Sequence, residues 1–324
     1  MLKIGLVGLG GIGQVHLSTY RHIADCEVAA VCDPSGAGQE RAKANGIPCY
    51  GDLPSLLAAA AVDVVDVCVP SFLHRDRVME ALEYGLPVIC EKPLALNGAH
   101  AREMYALAEK KGLPLFVGHV LQFYPASRAL HAMVEDGRFG KALDAVFLRL
   151  SACPKWAGGG WLFDRARSGL LPFDLHIHDL DLIISLFGKP ERYEVFSGGR
   201  EGLGYKEQYR FLYQYKNLNV CAEAAWYNAE IPFTASWRVY FEKALVIHDG
   251  NKLTAYRDEG PPEEFDIEEK FKIPTGINLP PTGVFYEELG FFLDRIRAGD
   301  KTLYRRDEIT ALIDILEDIA EEPS

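Results

Sequence analysis

A β-branched run at residues 3–7 stops at Gly8-Leu9-Gly10-Gly11-Ile12-Gly13 and passes straight into a helical pattern from residue 12 to about 24. Strand, glycine turn and helix in immediate succession leave a chain few folds to choose from. The rhythm then continues. Strands are expected at 27–32, 62–69, 87–90 and 115–117, and helices at 38–45, 55–60, 74–84 and 98–111. Strands alternating with helices imply right-handed βαβ units and a parallel sheet. The strands are nearly continuous apolar runs, as they should be when helices cover both faces.

After residue 123 the pattern changes. A helix (125–136) leads to a strand (142–151), a Gly/Trp-rich loop, and a helix (171–187) closed by Gly188 and Pro190. From 192 to 256 long alternating strands with turn residues between them predict an antiparallel sheet. Pro and Gly crowd 260–283, and helices are expected at 284–298 and 307–321. A chain of 324 residues exceeds the about 250–300 over which one core stops growing. The fold class expected is α/β. An N-terminal doubly wound Rossmann domain (1–122) precedes a C-terminal α+β domain (123–324) with an open, mostly antiparallel sheet.

Charge removes several classes of function. Lys+Arg is 34 against Asp+Glu 46, a net −12 with no dense basic run. Neither nucleic acid nor an anionic membrane surface is an expected partner. No apolar run approaches the roughly 18 residues that suggest a membrane span. The start, MLKIGLVGLGGIG, breaks into glycines where a secretory signal needs apolar continuity. Seven scattered cysteines, none in a Cys-x-x-Cys pair, suggest neither a disulfide framework nor zinc. The expectation is a reduced, cytoplasmic protein.

The glycine turn predicts a dinucleotide site. Gly8 permits the tight turn, Gly10 lets backbone approach a pyrophosphate, and Gly13 lets helix and strand pack closely. The amides of Gly11, Ile12 and Gly13 then face the phosphates at the positive end of the helix. Asp33, twenty residues past Gly13 at the end of the second strand, would accept bonds from the ribose hydroxyls and repel the extra phosphate of NADP. Pro34-Ser35-Gly36 offers no arginine for that phosphate, although Arg41 is one helix away. NAD is expected over NADP.

Ligands in such sheets lie beyond the carboxyl ends of the strands. Further cofactor contacts are therefore expected from Pro70, Ser71 and His74 after one strand, and from Glu91 and Lys92 after the next. Lys92 precedes Pro93, whose bond can be cis and so fix the lysine's direction. Its ammonium should point into the crevice. His119 follows another strand end. In Asp174-Leu175-His176-Ile177-His178-Asp179-Leu180-Asp181, Asp174 and His178 are i, i+4 and share a helix face. His176 and Asp179 point elsewhere. The His-x-His spacing suits a strand better than this helix, so no metal site is expected.

These motifs together resemble the Gfo/Idh/MocA oxidoreductases. The resemblance rests on GLGGIG at 8–13, the proline–histidine segment ending at His74, EKP at 91–93, the G-x4-D-x3-H-x2-D pattern at 169–181, Gly188-x-Pro190 and FYEELGFFLDRIRAGD at 285–300. It implies a nicotinamide cofactor, a sugar or polyol substrate, and a homodimer or homotetramer paired through the C-terminal sheet. Lys92 takes the family's catalytic-lysine position, and Asp174 and His178 its substrate-site aspartate and histidine. Family members often carry Arg where this chain has Gln122, so substrate contacts at His119 and Gln122 are less secure.

Oxidising a secondary alcohol needs a base within reach of the hydroxyl. His178 is the first choice, with Lys92 stabilising the developing alkoxide. Which of the two formally takes the proton stays open. Trp156, Trp161 and Trp226 are candidates for stacking on a sugar. Two other readings compete: a redox-neutral enzyme that uses NAD for epimerisation or glycoside cleavage, and a ligand-sensing regulator without catalysis.

Overall fold

The computed structural model describes residues 1–155, 158–277 and 279–321. The chain divides into two compact units, Met1–Val120 with Glu269–Ile313, and Leu121–Glu268 with Asp314–Ser324.

The first unit contains β1 (Leu2–Val7), α1 (Gly11–Tyr20), β2 (Cys26–Cys32), α2 (Gly36–Ala44), β3 (Cys49–Tyr50), α3 (Leu53–Ala59), β4 (Val64–Val67), α4 (His74–Glu83), β5 (Val88–Glu91), α5 (Gly98–Lys111) and β6 (Leu115–Gly118). Its sheet is parallel in the order β3-β2-β1-β4-β5-β6. The order reverses at β1 and β4, which is where a doubly wound sheet opens a crevice for ligand. Side chains cap the helices: Ser35 Oγ accepts from Gly38 N, Asp52 from Ser55 N and Asn97 from His100 N. Each such cap is worth about 1 kcal/mol.

The second unit holds α6 (Pro125–Asp136), β7 (Ala142–Ala152), α7 (Arg165–Ser168), a wide π turn (Pro172–His176) and α8 (Ile177–Phe187). It continues with β8 (Arg192–Gly198), β9 (Gln208–Gln214), β10 (Asn219–Tyr227), β11 (Thr234–Phe241), β12 (Ala244–His248), β13 (Leu253–Arg257) and β14 (Glu263–Phe265). The eight strands order as β14-β13-β12-β11-β7-β10-β9-β8. All neighbours are antiparallel except β7 and β10, which run parallel. One face is buried, with Phe147 opposite Trp237 and Phe211 opposite Ala222.

The last two helices are α9 (Val284–Arg297) and α10 (Arg306–Glu321). The division at 122/123 places residues 269–313 with the second domain, whereas they fold with the first sheet. The reason is apolar: Phe292 of α9 stacks on Phe116 of β6 with centroids 4.8 Å apart, and both are fully buried. Among the described residues no helix is long and apolar enough to cross a membrane.

Candidate active site

β1 delivers the chain to Gly8, whose φ of +94° only glycine adopts easily. A Cβ there would meet the Cys68 carbonyl oxygen at 2.7 Å, so β1 and β4 close together only around a bare backbone. A Cβ on Gly13 would lie 2.1 Å from Gly8 O, the tight strand–helix contact expected of that position. Around Gly10 nothing lies within 4 Å of where a Cβ would stand. The open space falls at the glycine that is to let a pyrophosphate approach, and a dinucleotide fits it.

Asp33 ends β2 almost buried. Its Oδ2 accepts the Leu9 N–H at 2.8 Å, and Oδ1 accepts from Ser35 N at 2.9 Å and Ser35 Oγ at 2.6 Å. Gly38 is the hidden partner of this arrangement: a Cβ on it would stand 2.1 Å from the Asp33 carboxyl carbon. Arg41 reaches the same turn, where its Nη1 donates to Leu9 O at 3.0 Å. These residues suit a ribose with two free hydroxyls.

Pro70 and Ser71 begin a short 3-10 turn beyond β4. Lys92 follows β5, half-buried, and its bond to Pro93 is cis. Two expected cofactor contacts, His74 and Glu91, are engaged by protein groups. His74 is fully buried, with Nδ1 2.7 Å from Pro93 O and Nε2 2.8 Å from Val69 O. Burial pulls its pKa below the ordinary imidazole value. It ties the β4 turn to the Lys92-Pro93 turn. Glu91 is also buried, and both its oxygens are engaged by protein groups: His16 Nε2 at 3.1 Å and Lys92 N at 3.1 Å. It supports the lysine from behind. His119 lies buried just past the end of β6.

In the second unit Asp174 falls in the π turn and His178 in the first turn of α8, both half-buried. Single π turns inside helices occur often at functional sites. Behind them α8 is anchored to its sheet. His176 stacks on Phe211 at 3.6 Å between centroids and is hydrogen-bonded through Nε2 to Tyr213 OH at 2.6 Å. Burial and the Arg149 charge hold its pKa down at about 3, so the ring is neutral. Asp179 accepts two bonds from Arg149, at 2.8 and 2.9 Å, in a buried pair.

Gln122 is engaged by protein groups as well. Its Nε2 donates to Asp181 at 2.6 Å and Ser185 at 3.1 Å, and its Oε1 accepts from His131 at 3.1 Å. The amide fastens α8. Trp226 is buried against Phe163 and Tyr205 and belongs to the core. Trp161 is half-buried in a 3-10 segment, and Trp156 lies outside the described residues.

Sequence reading passed over His16, Asp66 and Cys68, whose polar atoms all lie within 4.8 Å of one another. The available signal was Asp66, a charge in the middle of the apolar strand β4.

Residues 2–119 match the Gfo/Idh/MocA model described as an oxidoreductase family with an NAD-binding Rossmann fold. Residues 127–248 match the C-terminal domain of the same family. Among similar curated proteins is D-apiose dehydrogenase from Paraburkholderia graminis, 34% identical over 59% of this chain and 51% of its own. Another is 2,7-anhydro-N-acetylneuraminate hydratase from Mediterraneibacter gnavus, 30% identical over 60% of this chain and 51% of its own. The chain thus spans about half the length of these relatives. Among solved structures, levoglucosan dehydrogenase with NADH and levoglucosan superposes with a TM-score of 0.84 at 18% identity, over 98% of this chain and 96% of that one. That likeness is one of fold.

Proposed function

The chain belongs to the Gfo/Idh/MocA oxidoreductase family, and on that premise we propose that it is an NAD-dependent dehydrogenase or reductase acting on a secondary alcohol or ketone of a sugar, inositol or related polyol. The observation that carries the reading lies in the first unit. The glycine turn after β1, Asp33 after β2 and Lys92 after β5 all stand at the carboxyl ends of one parallel sheet, where such sheets take their ligands.

The dinucleotide would be held by the amides of Gly11, Ile12 and Gly13, by Asp33 at the ribose, and by Pro70 and Ser71. When bound, its nicotinamide supplies two-electron redox capacity at the substrate carbon. The side chains handle the proton. Lys92 Nζ donates to the reacting oxygen and stabilises the negative charge that grows there. His178 takes the hydroxyl proton as general base. Asp174 accepts from a neighbouring hydroxyl and orients the polyol. His119, Gln122, Trp156 and Trp161 are further candidates for substrate contact.

The outward face of the eight-stranded sheet carries half-buried Leu148 and Leu212 beside exposed Tyr240 and Tyr256. A second copy covering this face would make the homodimer or homotetramer.

The test is a panel of inositols, hexoses, pentoses and sugar acids with NAD or NADP, watched for nicotinamide absorbance. Lys92→Ala should abolish turnover and leave NADH binding nearly intact; equal loss of both would overturn the role of Lys92. Similarity to a hydratase keeps one second reading in view, redox-neutral use of tightly held NAD. Release of NAD on denaturation, with substrate converted and no net absorbance change, would select it.

A further inference from the structure

Behind the Glu91-Lys92-Pro93 turn lies a buried set of charges that the proposed chemistry does not use. His16 sits on α1, three residues past Gly13, and is fully buried. Its Nδ1 is 2.8 Å from Asp66 Oδ2 and its Nε2 is 3.1 Å from Glu91 Oε1. A neutral imidazole has a single N–H; with a carboxylate at each nitrogen, the ring carries both protons. Tyr20 OH donates to the same Asp66 oxygen at 2.8 Å. Cys68 Sγ lies 3.3 Å from Nδ1, and the Phe285 ring lies 6.0 Å from the imidazole.

Burial opposes charge on His16, but the surrounding Cys68 and Asp66 outweigh it and raise the pKa well above the ordinary imidazole value. Burial likewise opposes charge on Glu91, yet the hydrogen bond and charge of His16, with the charge of Lys92, hold its carboxyl below the usual range. His16 and Lys92 supply two positive charges, Asp66 and Glu91 two negative ones, and the set is neutral. That balance is what allows it to be buried. Gly118 leaves the room: a Cβ there would stand 3.1 Å from Glu91 Oε1.

We propose that His16 is a positioning residue for Lys92: as an imidazolium bridging Asp66 and Glu91, it clamps the Glu91 carboxylate against the Lys92 main-chain N–H and so sets the lysine's direction. The proposal rests on the reading of Lys92 as a catalytic residue. It also gives α1 two tasks, one at each end of a single turn: Gly13 shapes the phosphate site and His16 holds the strand end that carries the lysine.

Long-range 15N–1H spectra of the labelled protein with NADH, between pH 6 and 9, read the ring directly. The expected result is both His16 nitrogens protonated at pH 7; a singly protonated neutral ring would overturn the proposal. The second measurement is the rate of Lys92 acetylation by acetic anhydride, followed by mass spectrometry across pH. His16→Gln and Glu91→Gln should each shift its pH midpoint. Each should also lower kcat by about 10- to 100-fold, the scale of an ångström's misplacement, with KM little changed.

The double variant should lose no more than the worse single one, because the two residues act as one unit. Losses that multiply, with Lys92 reactivity unchanged, would reduce His16 to a structural residue and overturn the proposal. Should His16→Gln fail to fold, the wild-type spectrum and Glu91→Gln decide. If no polyol in the panel reduces NAD, the functional reading falls, while the ring spectrum and the acetylation rates still decide the positioning role.

Discussion

The Leu9 main-chain N–H donates to the Asp33 carboxylate at 2.8 Å, so the end of β2 is tied to the glycine turn by the same group proposed to meet the ribose. Asp33→Ala would cut that tie and remove the hydroxyl acceptor together. A hydrogen bond to a charged group is worth about 1.5–3 kcal/mol, so NADH should bind roughly 10- to 100-fold more weakly. NADPH, freed from repulsion, should lose less. Fluorescence titration with both nucleotides checks this; an unchanged NADH to NADPH ratio would refute the role of Asp33.

Gly38 offers a test that runs against helix propensity. Gly→Ala inside a helix gains about 1 kcal/mol. Here the new methyl would stand 2.1 Å from the Asp33 carboxyl carbon, and overpacking costs about 1–3 kcal/mol. Gly38→Ala should therefore lower the melting temperature and weaken NADH binding. A stabilised variant with normal affinity would show that Asp33 has freedom to move.

Arg149 and Asp179 hold α8 to β7 from within the core. Arg149→Met alone leaves a buried carboxylate unpaired and should cost about 3–5 kcal/mol. Arg149→Met with Asp179→Leu removes both charges and should restore most of that loss. Urea unfolding of the wild type and the two variants measures it.

His176 makes the second unit sensitive to acid. Its folded pKa is about 3 against an ordinary 6.5, so protonation favours the unfolded chain. The contribution is fully present above about pH 6.5 and is lost as pH falls toward 3, at a limiting rate of about 1.4 kcal/mol per pH unit. Replacing both partners, His176→Phe with Tyr213→Phe, leaves no unmet donor and should be nearly neutral at pH 7. It should flatten the loss below pH 6.5. Unfolding midpoints at pH 7 and pH 4.5 provide the comparison.

Elements with local signals were legible from sequence. α5 was expected at 98–111 and runs Gly98–Lys111, because Asn97 caps its start and Gly112 turns left-handed at its end. The helical pattern of α1 runs to about residue 24, but the helix stops at Tyr20, where His22 and Ile23 turn back onto Thr19 and Tyr20 and Asp25 takes a positive φ. β3 has two residues, too few for any periodicity.

At the site, the glycines, Asp33 and Lys92 announced themselves because each lies at a strand end beside its own motif. His16 and Asp66 did not, and nothing beside Glu91 in its own motif showed that it would meet them. The three sit on α1, β4 and β5 and meet only once the sheet has formed. The partners of Gln122 were hidden for the same reason, since Asp181 and Ser185 are 59 and 63 residues away.

The return of residues 269–313 to the first unit has a consequence for synthesis on the ribosome. The Rossmann sheet is encoded ahead of the second unit, yet Phe116 cannot meet Phe292 until the whole stretch between them has emerged. The nascent N-terminal sheet must wait with that apolar flank uncovered while the second domain is still being translated. That flank is covered only after the second unit has been made, and a fragment ending at residue 122 should be prone to aggregate.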